Sequence, residues 1–388
     1  MNNCVYCGNN PTNHTAQKFF GSIDIILYPL TSHIFYGWFG QNVLDPLTKA
    51  FGMAVFYFLK SIGLIRINKD INRVPYARAK SLWAEANRRG IDFSEIKPFG
   101  LSIDLYQAPI HGKPTIFFNL PRPSNVDESV LGWIDDKWIM KQKLAAAGVP
   151  VPKGRSFYSL GPAIDFFQTL GKPVVVKPRT GSRNRHTTVL VQNEEQLARA
   201  FFVAKQLCFF VIVEQYLYGD LFRGTTINGK LIGILGMAPA KVTGNGKDPI
   251  TRLIEIHNQK LPIGMKPISI SESNIRHLML QNLNINSILS KGQTIPLSEK
   301  MGVDYSGTSY DCTRQAHLQI KEVLMKATLV VGDPILGFDF ITQDVTKPLD
   351  QQNFGIIECN GAPFIQLHHD PLIGESINAA KYVWDLVE

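Results

Sequence analysis

Apolar residues recur along this chain in two rhythms, and the change from one to the other marks its elements. In Val74 to Gly90, VPYARAKSLWAEANRRG, apolar positions return every three or four residues. That spacing predicts an amphipathic helix with Ala77, Leu82, Trp83 and Ala86 inward, Pro75 in the first turn and Gly90 as the stop. Short β-like runs follow at Ser102 to Pro109 and Pro114 to Leu120, joined by IHGK, a hairpin turn. Asp135 to Gly154 reads as a helix capped by Asp135 or Asp136 and ended by Gly148 and Pro150. Pro173 to Val176 is a buried strand that runs straight into Lys177, and a polar loop, RTGSRNRHTTVLV, leads to the next strand. Asn193 to Leu207 is helical, Phe209 to Val213 is a strand, and Lys230 to Leu235 is another. Thr251 to Asn258, Ser271 to Leu283 and Asp311 to Leu329 read as helices, and Ser376 to Val387 closes the chain as one.

The densest chemistry lies in Gly355 to Pro371, GIIECNGAPFIQLHHDP. Alternation on a strand puts Glu358 and Asn360 on one face and Cys359 on the other. A carboxylate beside an amide carbonyl is a hard oxygen set, suited to Mg²⁺ held jointly with phosphates. Upstream, GFDFI offers Asp339 on a second strand. Two lysines stand where each could meet a phosphate. Lys137 lies in a helix's first turn, where the dipole disfavours it, and Lys177 ends a β-branched run.

Composition narrows the partners. The chain has 388 residues, enough for two or three domains, and a net charge of +8. The excess is local: Asp135 to Asp220 holds twelve Lys/Arg against seven Asp/Glu, and Leu221 to the end holds fifteen against sixteen. No Lys/Arg-rich run points to nucleic acid; a small polyanion such as a nucleoside triphosphate fits better. Five cysteines, an odd count, argue for a reducing, cytoplasmic setting rather than a disulfide framework. Cys4 and Cys7 form one CxxC with His14 nearby. Zinc needs four ligands and no second pair appears, so this segment reads as a frayed terminus. The first residues lack the basic start of a signal peptide. Phe19 to Ile67 is apolar, and its run Ala50 to Ile65 is too short to span a bilayer. It reads as a packed helical extension, in preference to a helix lying in a membrane surface.

Taken in order, DDKWIMKQKL, GVPVP, PVVVKP, VIVEQYLYG, GFDF and IIECNGAP resemble the ATP-grasp superfamily, in the branch of cyanophycin synthetase and bifunctional glutathione synthetase. APAKVTGNGKDPITRLIEIHN, SGTSYDCTRQAH and HHDP also resemble that branch. The resemblance covers Asp135 to the C-terminus and, loosely, the unit from Lys69. It implies an α+β protein with an ATP-grasp fold, two α/β lobes clasping ATP. The expected division is an apolar extension over residues 1–67, a small α/β domain over 68–134, a small lobe over 135–220 and a large lobe with the metal site over 221–388.

The resemblance further implies an ATP-dependent carboxylate–amine ligase, with an amino acid or short peptide among its substrates. Lys137, Lys177 and Arg185 would bind the nucleotide phosphates. Glu214, Gln215, Tyr216 and Leu217 would line the adenine pocket, with Asp220 nearest the ribose. Asp339, Glu358 and Asn360 would hold two Mg²⁺, for which Mn²⁺ could substitute, and Arg223 and Lys241 would serve the reaction beside Glu358. Relatives are commonly dimers. Three departures stand out. Leu221 replaces the family's acid two residues before Arg223. Asn184 and His186 replace glycines in the loop after Lys177. Met237 replaces an arginine, whose charge Lys241 could supply. They keep open an alternative, a Mg-ATP-binding scaffold that no longer ligates. His317, His368 and His369 are candidates to position or deprotonate the amine, each with a structural reading beside it.

Overall fold

The computed structural model describes the chain except for residues 1–3, 5, 8–10, 31–53, 55, 124–125, 127–130, 182–183, 262–266 and 299–306. Part of the apolar run from Ala50 to Ile65 therefore lies outside the described residues. The first helix, α1, spans His14–Leu30. Strand β1 (Ile65–Asn68), helix α2 (Ala77–Arg88) and strands β2 (Ser94–Pro98), β3 (Leu105–Ile110) and β4 (Lys113–Phe118) follow. The four strands form an antiparallel sheet in the order β1-β2-β3-β4. The β3–β4 turn holds both His111 and Gly112 at positive φ, as a tight hairpin of right-twisting strands requires. In α2 the buried face is Ala79, Leu82, Trp83 and Ala86; Ala77, at the helix start, is exposed. This face shares a core with the C-terminal helix, where Trp384 and Val383 are fully buried, and with Ile335 of the large lobe.

The chain goes on with α3 (Lys137–Ala146), capped by Asp136, whose carboxylate accepts from the N–H groups of Trp138 and Ile139; its Met140 and Leu144 share a core with Phe338 and Ile356 of the large lobe, not with the small-lobe strands expected to follow from residue 135. It continues through β5 (Gly154–Phe157), α4 (Leu160–Thr169), β6 (Val174–Pro178), β7 (Thr188–Val191), α5 (Glu194–Lys205) and β8 (Val211–Gln215). The sheet order is β5-β8-β6-β7. Helix α5 has the ends its dipole favours: Asn193 as cap, Glu194 and Glu195 in the first turn and Lys205 in the last. It buries Leu197 and Phe201 against Val174, Val176, Val211 and Val213.

The large lobe holds β9 (Asp220–Ile227), β10 (Lys230–Ala238), β11 (Lys241–Thr243), α6 (Ile250–Gln259), α7 (Glu272–Leu280), β12 (Thr294–Pro296), β13 (Thr308–Asp311), α8 (Leu318–Val331), β14 (Ile335–Thr342), β15 (Phe354–Asn360) and α9 (Ala379–Asp385). Its five-stranded sheet runs β13-β10-β9-β14-β15, while β11 and β12 form a separate pair. Phe222 and Phe340 face each other across β9 and β14 with rings stacked 5.5 Å apart. Such a pair adds about 0.5–1.5 kcal/mol beyond its burial.

The helix read from Asp311 to Leu329 differs in the structure. Thr308–Asp311 is a strand on β10, and Cys312 and Thr313 extend that contact by bonding to the backbone of Ile234. The helix starts only at Leu318, where the His317 side chain accepts from the N–H of Gln319. Partnering with an exposed sheet edge overrode local helical spacing here.

Candidate active site

Three adjacent strands of the large lobe set a row of charge. Register puts Arg223 on β9 opposite Asp339 on β14, and Asp339 opposite Glu358 on β15. A β-bulge falls just beyond the second pair, so Phe340 is matched with Ile356 and Ile357 is the extra residue. Bulges of this kind re-aim side chains beside sites. Here it lets Ile356 enter the core while Glu358 and Asn360 remain half-exposed. The Arg223 guanidinium grips both Asp339 oxygens, at 2.7 and 2.8 Å.

Lys137 reaches this row from α3. Its Nζ is buried and lies 3.9 Å from Glu358 Oε1. Burial works against the charge of Glu358, but Lys137, then Lys177 and Arg223, hold the carboxyl below the ordinary glutamate range. Asn360 keeps its buried Nδ2 without a hydrogen-bond partner. Two carboxylates facing each other and an amide two residues on form a hard oxygen set. A divalent cation of the Mg²⁺ class fits the oxygens of this set, with Asn360 offering Oδ1.

The small lobe supplies a second cluster. Lys177 Nζ lies 2.7 Å from Glu214 Oε1, and Lys141, one turn beyond Lys137 on α3, bonds the other oxygen of Glu214. All three side chains are buried, with relative exposures of 7%, 3% and 3%. Burial, partly countered by Glu214 and reinforced by Lys177, brings Lys141 down to about 7. Burial works to raise Glu214, yet its two lysines hold it low. Arg179, just past Lys177, clamps Asp136 at 2.7–2.9 Å and so ties the cap of α3 to the end of β6.

The remaining expected residues separate. Gln215 and Tyr216 already donate their N–H groups to the carbonyls of Lys153 and Pro173, so an adenine edge would meet this segment through other groups. Leu217 is buried beneath Gly355. Asp220 is exposed at the start of β9. Lys241 is exposed on β11, outside the sheet that carries Arg223 and Glu358. Arg185 is buried beside His186 in the loop after Lys177. Each histidine candidate has structural work. His317 caps α8, His369 Nε2 accepts from the Ala380 N–H, and His368 is buried against the Thr225 hydroxyl at 2.8 Å. Burial, with Arg223 adding to it, brings His368 down to about 3, so it is neutral at ordinary pH.

No protein-family model matches the chain. Among curated proteins it is 32% identical over 261 residues to a cyanophycin synthetase from Geminocystis herdmanii, a match covering 65% of this chain and 30% of that protein. It is 26% identical over 336 residues to the glutathione biosynthesis bifunctional protein GshAB of Clostridium perfringens, covering 82% and 42%. Its fold matches the crystal structure of a bifunctional glutathione synthetase from Pasteurella multocida with a TM-score of 0.60 at 24% identity, over 82% of this chain and 44% of that one. Over the matched residues the chain is similar to cyanophycin synthetases and bifunctional glutathione synthetases, and it shares the fold of the bifunctional glutathione synthetase. It spans less than half the length of these relatives.

Within the ATP-grasp frame, two observations go beyond the sequence reading. Lys141 is a buried partner of the site that spacing could have shown, because it lies four residues after Lys137 and so on the same helix face. The departures Leu221 and Met237 are cross-strand partners on β9 and β10. Leu221 is half-buried and Met237 is buried, so an apolar pair occupies this cross-strand position. Two apolar partners leave no unpaired charge at this position.

Proposed function

We propose that this chain joins a carboxylate to an amine at the expense of ATP, through an acylphosphate. The observation that carries the reading is the row Arg223–Asp339–Glu358, met by Lys137 at 3.9 Å and faced by the Lys177–Glu214–Lys141 cluster. A carboxylate does not react with an amine at neutral pH because its oxide is a poor leaving group. Attack of a carboxylate oxygen on the γ-phosphorus breaks the bond to ADP and gives the acylphosphate. The amine then adds to the carbonyl, loses its proton and expels phosphate.

In this scheme Lys137 and Lys177 draw the triphosphate to the cleft between the lobes and offset its charge. Asp339, Glu358 and Asn360 would hold Mg²⁺, which supplies charge neutralisation on the phosphoryl oxygens. Arg223, fixed by both Asp339 oxygens, would set its positive charge beside negative charge that develops on the transferred group. The loop after Lys177 covers the nucleotide and keeps water from the acylphosphate. The substrates belong to the amino acid or short peptide class, as do those of a glutathione-forming relative.

A phosphate-release screen over pairs of amino acids and short peptides tests the reading. The expected result is ADP formation that requires both a carboxylate and an amine, with a new amide in the product. Binding of Mg-ATP with no substrate-dependent ADP from any pair would refute ligation and leave a nucleotide-binding scaffold.

A further inference from the structure

We propose that Cys4, Cys7, His14 and His186 form a structural zinc site that staples the N-terminal segment to the loop after Lys177. The CxxC with a single nearby histidine reads, in sequence, as one ligand short. The structure brings the fourth from 172 residues further on. Cys7 donates its N–H to the Cys4 carbonyl at 3.0 Å, a turn that sets both sulfurs on one side. Cys7 Sγ lies 3.2 Å from His14 Nε2 and 3.4 Å from His186 Nε2, and Cys4 Sγ lies 3.5 Å from His186 Nε2. All four donor atoms fall within 4.8 Å of one another. Zinc bonds of about 2.3 Å to sulfur and about 2.0 Å to nitrogen place tetrahedral neighbours about 3.3–3.8 Å apart. Two of the three close pairs, at 3.4 and 3.5 Å, fall in that range, and the third, at 3.2 Å, lies just below it.

Hydrogen bonding alone does not account for the cluster. His186 Nδ1 sits 2.8 Å from the Val203 carbonyl, which fixes the proton on that nitrogen. The lone pair of Nε2 then faces two sulfurs at once. A carbonyl behind a histidine that presents its other nitrogen is the usual support of a zinc ligand. Two sulfurs and two imidazoles in a closed tetrahedral set select zinc, with no position left for a substrate. Cys7 and His186 are buried, and Cys4 and His14 are half-buried.

The site also explains the loop. Asn184 and His186 hold φ of 60° and 53°, a conformation natural to glycine and strained for other residues. His186 stands there because its ring is used. The His186 N–H bonds the Tyr6 carbonyl at 3.1 Å, Thr180 Oγ1 donates to the Gly21 carbonyl at 2.8 Å, and the Phe209 N–H donates to Ser22 Oγ at 3.0 Å. Gly181 lies so close to Gln17 of α1 that a Cβ there would overlap it. So the described part of the N-terminal segment is docked on the small lobe, contrary to the frayed terminus its sequence suggests. The metal would pin the end of the loop that leads into β7. This inference does not depend on ligation.

The test is metal content of the full chain after growth with added zinc, by mass spectrometry and by zinc release under denaturation. One zinc per chain is expected. Replacement by Co²⁺ should give the strong visible bands of a tetrahedral ion and thiolate-to-cobalt charge transfer in the near ultraviolet. His186→Ala should lose the metal. His186→Cys should keep it, with stronger charge transfer from a third sulfur, which separates ligation from a merely structural role. Chelation should expose the 179–187 loop to protease. Background zinc with no charge-transfer band in the wild-type chain would overturn the proposal. So would full zinc retention by the Cys4→Ala, Cys7→Ala double variant.

Discussion

Replacing Glu214 with glutamine would remove one negative charge from between two buried ammonium groups while keeping the shape. Glu214 takes Lys141 on one oxygen and Lys177 on the other, and no member of the trio is more than 7% exposed. Breaking a buried pair by removing one partner costs about 3–5 kcal/mol. One acid serves two bases here, so the upper half of that range is expected for Glu214→Gln near neutral pH. The deficit should depend on pH in a definite direction. Lys141 already has a folded-state pKa of about 7, below the unfolded value of about 10.4. Between those values the unfolded chain binds more protons than the folded one, so stability rises with pH. Loss of Glu214 removes the chief support of the Lys141 charge and widens that window downward. Urea unfolding of wild type and variant across pH 5 to 8 would measure both effects, the deficit shrinking up to about pH 7 and levelling above it. A loss below about 1 kcal/mol, or one that does not shrink as pH rises, would refute the view that this trio is desolvated and mutually dependent.

Glu358→Gln should cut substrate-dependent ADP formation on the order of 10²–10³-fold while the protein stays folded by circular dichroism at the assay temperature; turnover at the wild-type rate would remove Glu358 from the site. Arg223→Lys replaces a fork that holds both Asp339 oxygens with a single point donor, so kcat should fall about 10²-fold, as single-turnover phosphate release would show. His368 contributes to acid sensitivity. Its folded pKa of about 3 lies below the ordinary 6.5, so the unfolded chain binds the extra proton in that interval and stability falls as pH drops through it. His368→Gln should flatten this limb of a stability-against-pH curve, and an unaltered limb would count against the assignment.

Where a local signal had a local cause, the chain was readable. Asp136 as the cap of α3, the E-x-N alternation on β15 and the strand running into Lys177 need only short-range rules, and the structure places each as those rules say. What depended on distant partners was hidden. The strand at Thr308–Asp311 exists because β10 offers an edge, and no periodicity in four residues announces that. Leu221 and Met237 look like two separate losses until register makes them one pair. Glu214 reads, in sequence, only as part of an adenine-lining segment; its burial between lysines from β6 and α3 adds electrostatic work. His186 was visible only as a missing glycine, because its counterparts lie at the opposite end of the chain.

Helix α3 carries Lys137 and Lys141 one turn apart, with the first beside Glu358 of one lobe and the second on Glu214 of the other. About 6 Å of helix thus stands between two acids that belong to different sheets. Charges of the two sheets act on one another: Lys137 lowers Lys141, and Lys177 and Lys141 help hold Glu358 low. A ligand that draws Lys137 away from Glu358 alters the field felt by Lys141 without touching it, and proton uptake on nucleotide binding becomes a readout of how firmly the halves are geared together.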